Sequence, residues 1–348
     1  VNGRELRKYL SRHEFQMKIF DFGSEQVFKG RSTYTCVCII RNSEGTIAYI
    51  KSNSFELEKE EKSNFLDIAY NGLDDIKGWL LSDKANVIDN IKKIESTGTS
   101  LGDFVSIKNG FATLKNDIYV FTPYSEDEGY YNLEKNSKDY LIEKTICRNA
   151  VKPNTLDERL TLDSQMEKLI FPYIQDEGQV VLMSEDYLQT NYPRAYAYLT
   201  DYKKDLAQRD KGNRQYQGWY AYGRTQALNI KGYRLFFPYL ASKPIFILSD
   251  DQELMFYNGY ALVSDDLEQL RFLQKILCSK VFWYYIKNSS KPYGGEYMSL
   301  AKNYVKNFGI INMSPRQRRI FMELTEQKEI DEYLSNLYKL KAAISLYT

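Results

Sequence analysis

Histidine is almost missing from this chain: 348 residues contain one, His13. A Ser-His-Asp triad or a zinc site built on imidazoles is nearly excluded on that ground. Cysteine is sparse as well. Cys36, Cys38, Cys147 and Cys278 show no disulfide or zinc-ribbon spacing. Cys36 and Cys38 form C-x-C in an apolar stretch, where both side chains share one side of a strand, and all four read as reduced core thiols of a cytoplasmic protein. No run approaches the roughly 18 apolar residues of a membrane helix, and no secretory signal is present. No Pro-Pro pair occurs. The glycines of "NGFATLKND" and "PYGGEY" lack the strand–loop–helix setting of a nucleotide-binding loop. No catalytic residue and no metal ligand is assigned. The first residue is Val, not Met, and helix-like sequence follows at once, so a fragment lacking its N-terminal part is expected.

What is abundant is the aromatic side chain. There are 30 tyrosines and 18 phenylalanines, and the formal net charge is only +1. That charge is unevenly spread. Residues 191–234 carry nine Lys/Arg against three Asp, and 271–308 carry seven Lys/Arg against one Glu. The acids collect in 121–190 and 52–103. A neutral average with two basic blocks predicts one positive face, although solvated helix faces produce charge runs too.

The elements follow from periodicity. "NGRELRKYLSR" is a short helix with Leu6 and Leu10 on one side. "FQMKIFDFG" is a strand, and "TYTCVCIIRN" and "EGTIAYIK" are expected to pair as a hairpin through the Asn42–Gly45 turn. Polar helices and loops around "GWLL" form a connector, and its "ELEKEEK" stretch (56–62) reads as a solvated helix rather than a nuclease site. "YPRAYAYLTDYKKDLAQR" has Tyr198, Tyr202 and Leu206 on one helical face, and "DLEQLRFLQKILCSKVFWYYIKN" is a buried helix. Ser314-Pro315 caps a terminal helix with the stripe Ile330, Leu334, Leu337 and Ile344.

The stretch "GNRQYQGWYAYGRTQALNIKGYR" (212–234) gathers rings and cations without an acid. Phosphates are contacted by Lys and Arg, while Arg, Asn and Gln read base edges in bidentate fashion. The expected DNA-facing residues are Lys203, Lys204, Arg209, Lys211, Arg214, Gln215, Gln217, Tyr220, Arg224, Gln226 and Asn229. Lys203, Lys204, Arg209, Lys211 and Arg214 are expected to face solvent. Trp219 and Tyr222 suit a core as well as a stacking surface, and Arg224 suits a carboxylate as well as a phosphate. Lys108 and Lys115 lie around a turn of similar character, and Lys291 and Tyr293 lie in a Gly-containing loop after a buried helix.

The order of the pieces carries a resemblance. "GWLL" (78–81), "LGDFVSIKNGFATLKNDIYVF" (101–121), "VKPN" (151–154) and "IFPY" (170–173) come in sequence. They are followed by "YPRAYAYLTDYKKDLAQRD" (192–210), "WYAYGR" (219–224), "ILCSKVFWYYIKN" (276–288) and "GGEYMSLAKNYVKNFGI" (294–310). The series resembles the TaqI-like C-terminal specificity domain of N6-adenine DNA methyltransferases, including fused restriction–modification enzymes of the Eco57I type. "GRELRKYL", "KIFDFGSEQVF" and "YTCVCIIR" resemble the end of the preceding methyltransferase domain.

The resemblance implies an α+β fold. Residues 1–52 would be the last helix and terminal β-hairpin of a Rossmann-like methyltransferase domain. Residues 53–100 would be a helical connector, 101–312 a mixed target-recognition domain, and 313–348 a C-terminal helix. It implies double-stranded DNA as partner, together with the missing N-terminal methyltransferase domain. S-adenosylmethionine would be the cofactor of the parent enzyme, with none in this chain. Such enzymes hold the methyl donor in a Gly-rich loop and the target adenine in an Asn/Asp-Pro-Pro-Tyr/Phe motif. Neither is present here, so this chain alone is expected not to methylate DNA. The alternative is a protein–protein module that scaffolds a restriction or phage-defence complex.

Overall fold

The computed structural model describes residues 2–28, 30–31, 33–52, 65–225, 227–294 and 296–340. "ELEKEEK", Gln226 and Ile344 lie outside the described residues. The chain is α+β, with several small sheets and short helices. It divides into two compact units. One comprises Val1–Phe104, Leu240–Pro244 and Ile276–Thr348, the other Val105–Tyr239 and Ile245–Lys275.

The first unit opens with helix α1 (Asn2–His13) and strands β1 (Phe15–Asp21), β2 (Cys36–Glu44), β3 (Ile47–Lys51) and β4 (Leu66–Ile68). Leu10 is buried, whereas Leu6 is 59% exposed. The sheet order is β2-β1-β3-β4, which corrects the expected hairpin: β2 and β3 do not pair with each other. β1 lies between them, antiparallel to β2 and parallel to β3. The two inner places go to strands with apolar residues to bury: Met17, Ile19 and Phe20 in β1, and Ile47, Tyr49 and Ile50 in β3. Gly45 carries the chain across the end of β1, donating its N–H to Glu14 O at 2.8 Å. A Cβ there would stand 2.9 Å from Gln16 Cβ.

β2 is an edge strand, and all nine of its residues are exposed. Cys36 and Cys38 are therefore exposed free thiols and not the core residues expected. Helix α2 (Ala85–Glu95) buries Val87, Ile91 and Ile94. The Trp79 indole donates to Asp75 at 2.7 Å, as does Ser11 at 2.7 Å.

Among the described residues the second unit contains three small sheets and a hairpin. Its strands include β5 (Ser106–Asn109), β6 (Val120–Phe121), β7 (Tyr130–Lys135), β8 (Lys138–Glu143), β9 (Cys147–Val151) and β10 (Glu167–Ile170). The hairpin β11 (Tyr173–Asp176) and β12 (Gln179–Leu182) turns through Glu177 and Gly178, both at positive φ. Helices α3 (Glu185–Asn191), α4 (Pro193–Asp201) and α5 (Lys203–Ala207) come next.

Tyr198, Tyr202 and Leu206 are buried on one face, as their spacing predicts. The helix is broken at Tyr202 between α4 and α5. Glu143 caps α4, accepting from Arg194 N at 2.7 Å and Ala195 N at 2.8 Å. β13 (Tyr233–Phe237), β14 (Ile247–Ser249), β15 (Met255–Phe256) and β16 (Tyr260–Ser264) follow, with order β14-β13-β16-β5 in one sheet and β15-β9-β10-β6 in another. A tyrosine-rich core that includes Tyr119, Tyr173, Tyr198, Tyr220 and Tyr222 fills this unit.

The long buried helix expected near 266–288 is two helices, α6 (Leu267–Leu277) and α7 (Lys280–Ser289). Ser279 separates them and caps α7 by accepting from Phe282 N. The terminal helix is likewise α8 (Pro315–Glu323), opened by a capping box at Ser314, and α9 (Gln327–Tyr338). Ile330 and Leu334 are buried in α9, and Leu337 is half-buried. Among the described residues no helix is long and apolar enough to cross a membrane.

Candidate nucleic-acid interface

The candidate surface is the loop after α5, and its shape begins with three residues. Asp210, Lys211 and Gly212 have φ of 47°, 60° and 73°. Consecutive left-handed residues reverse the chain sharply, and an Asp and a Gly bear that better than most side chains. The loop that follows, 213–225, contains no regular element.

Two buried anchors hold it. The Arg209 side chain turns inward and is 3% exposed. Its Nε donates to Leu206 O at 2.7 Å and its Nη2 to Trp219 O at 2.6 Å, while Nη1 donates to Ala221 O. Arg209 is therefore not the solvent-facing contact expected. A guanidinium has five donors, and here backbone carbonyls use three of them. Tyr220 and Tyr222 are the second anchor, both buried. Tyr220 Oη donates to Met183 O at 2.7 Å and Tyr222 Oη to Ile170 O. Burial pushes the Tyr222 hydroxyl well above its ordinary pKa, and burial raises that of Tyr173 to about 12. Tyr220 thus belongs to the core and not to an exposed face. Trp219 is half-buried, donates to Glu185 Oε1 at 2.8 Å, and has Lys203 Nζ 4.6 Å from its ring.

Asp210 organises the outer layer. Its carboxylate accepts from Tyr216 Oη at 3.0 Å and from Arg224 Nη1 at 3.1 Å, with Arg214 Nη1 at 4.0 Å. The hydrogen bonds from Arg224 and Tyr216 hold the Asp210 carboxyl below its usual pKa. Tyr216 lies beneath two cations, with Arg209 4.3 Å and Arg214 5.7 Å from its ring centroid. Arg224 is thereby engaged with a carboxylate and remains part-exposed.

Outside this frame Lys203, Lys204, Lys211, Arg214, Gln215 and Gln217 are exposed. A hollow of about 210 Å³ lies between Arg214–Gln217 and Ala221–Thr225. Lys108 on β5 and Asn229, far apart in sequence, are both exposed and line a second hollow of about 370 Å³ in the same unit. Lys231, not singled out from the sequence, lines it too. Buried Arg234 shapes its rim by donating to Ile230 O at 2.7 Å and Gly232 O at 2.8 Å, and burial lowers the guanidinium pKa. Lys115 is half-buried in the 112–116 turn.

Lys291 and Tyr293 belong to the other unit. There Lys291 Nζ lies 5.7 Å from the Tyr34 ring centroid and 5.5 Å from that of Tyr293. Asp210 was the residue the reading of cations and rings passed over. Its signal was the Asp-x-Gly spacing of a left-handed turn.

No family model matches the chain. It is 27% identical over 243 residues to the type II restriction enzyme and methyltransferase RM.Eco57I of Escherichia coli, an alignment covering 65% of this chain and 24% of that protein. The matched region is thus about a quarter of the relative's length. The fold is similar to that of MmeI, a type IIL restriction-modification enzyme solved in complex with DNA. The TM-score is 0.52 at 11% identity, over 97% of this chain and 45% of that one. The type IIG restriction endonuclease BpuSI aligns over 96% of this chain and 42% of its own, at 12% identity and a TM-score of 0.45.

Proposed function

We propose that this chain is the DNA target-recognition portion of a site-specific adenine-N6 DNA methyltransferase of a restriction–modification system. The TaqI-like specificity domain is the architecture we assign to it. The observation that carries the reading is the exposed row Lys211, Arg214, Gln215 and Gln217, displayed on a frame whose own charges are already satisfied by Asp210 and buried carbonyls. Exposed cations suit phosphates, and the two amides beside them suit base edges. Sequence similarity to a restriction enzyme and methyltransferase points the same way.

S-adenosylmethionine belongs, in this reading, to a part of the protein outside this chain. The candidate glycines do not fit it. A Cβ on Gly110 would stand 2.3 Å from Phe256 O, so that glycine serves strand packing. Gly294 follows α7 rather than opening a helix after a strand.

The second reading, an interaction module of a restriction or phage-defence complex, draws on the exposed edge strand β2 with Val37, Ile39 and Ile40. Fluorescence anisotropy with a random-sequence duplex, at about 50 and 200 mM salt, separates the two. Affinity that falls steeply with salt is expected. Absence of binding at the lower salt would favour the interaction module.

A further inference from the structure

Leu114 occupies a backbone conformation that leucine ordinarily avoids. Its φ is 63°, in the left-handed region where Cβ crowds the following carbonyl. The turn around it is tightly held. Arg224 N donates to Ala112 O at 2.9 Å and Gly223 N to Thr113 O at 3.0 Å. Thr113 is fully buried, and its hydroxyl donates to Asn116 Oδ1 at 2.6 Å while accepting from Lys115 N at 3.0 Å.

Burial does not explain the leucine, because 39% of it is exposed. Its place is kept open from the other side. A Cβ on Gly223 would fall 2.2 Å from Leu114 Cγ, so only glycine at 223 lets the side chain stand there. Gly223 also lines the hollow beside Arg214, Gln215 and Gln217. The strained leucine thus lies part-exposed against Gly223, which lines a hollow shared with Arg214, Gln215 and Gln217. Strain at an exposed position, with a glycine opposite to permit it, is the kind of outlier from which a functional role is inferred. Leucine is among the side chains that enter base steps and partly unstack them.

We propose that Leu114 is an apolar wedge that enters the base stack of duplex DNA bound along the 211–217 loop. The inference rests on the DNA-recognition reading above. The test begins by selecting a preferred duplex from a random library with the chain. 2-Aminopurine then replaces each adenine of that duplex in turn. With the unaltered chain, fluorescence rises at one step as stacking is lost.

Leu114→Gly suits the left-handed backbone, so its melting midpoint is expected to stay close to that of the unaltered chain. It is expected to abolish the rise and weaken binding about tenfold, the order of one stacking contact, with the salt slope unchanged. Leu114→Met keeps an apolar tip and is expected to keep the rise. An equal rise with Leu114→Gly, or no rise at any step, overturns the wedge while leaving DNA recognition standing. Failure to enrich any duplex overturns the recognition reading and the wedge with it.

Discussion

Arg224 and Asp210 are fourteen positions apart in sequence, and Arg224 Nη1 lies 3.1 Å from Asp210 Oδ2. The pair closes the loop that carries the candidate DNA contacts. It also gives that loop a pH dependence. The folded carboxyl titrates below its ordinary value, because the charged form is held by Arg224 and Tyr216. Its contribution to stability is present above the unfolded value of about 3.9 and is lost as the pH falls through the lower folded value. Asp210→Asn should therefore melt below the unaltered chain at pH 6, with the difference vanishing as acid protonates Asp210. Melting curves across pH 6 to about 2.5 measure it. A difference that persists unchanged at the acid end would mean that the carboxylate charge is not what holds the loop.

Arg209 tests the frame itself. Arg209→Met keeps much of the side-chain volume but leaves the carbonyls of Leu206, Trp219 and Ala221 without their donor. A buried polar group left unpaired costs roughly 1–3 kcal/mol, and the carbonyls partly relax, so a loss of about 3 kcal/mol in urea unfolding is expected. A loss under about 0.5 kcal/mol would show that the loop stands without this anchor.

The exposed cations should behave in the opposite way. Lys211→Ala and Arg214→Ala sit on the surface, so each should leave the melting midpoint nearly unchanged. Each should also reduce the slope of log affinity against log salt by about one. Anisotropy titrations at four or five salt concentrations give that slope. An unchanged slope in both variants would remove the 211–217 loop from the DNA-facing surface.

Local features were legible in the sequence because they depend on near neighbours. The one-sided burial of Tyr198, Tyr202 and Leu206 follows from helical spacing, and the cap at Ser314-Pro315 follows from two adjacent side chains. Helix continuity was not legible. At Tyr202 and Ser279 the apolar stripe runs on while the backbone stops, since a stripe records which face is buried and not whether one helix carries it.

The amino-acid sequence alone determined a chain rich in tyrosine, with cations and amides gathered after residue 203. Only the tertiary structure decided which of those cations remain available. Arg209 and Arg214 have the same guanidinium, which is satisfied equally well by three carbonyls or by a phosphate. The left-handed turn at 210–212 folds the chain back over Arg209 and leaves Arg214 outside. The same holds for β2: its apolar residues predict a core strand, but a strand's burial depends on what lies on both sides of it. The pairing of β1 with β3 puts β2 at the edge.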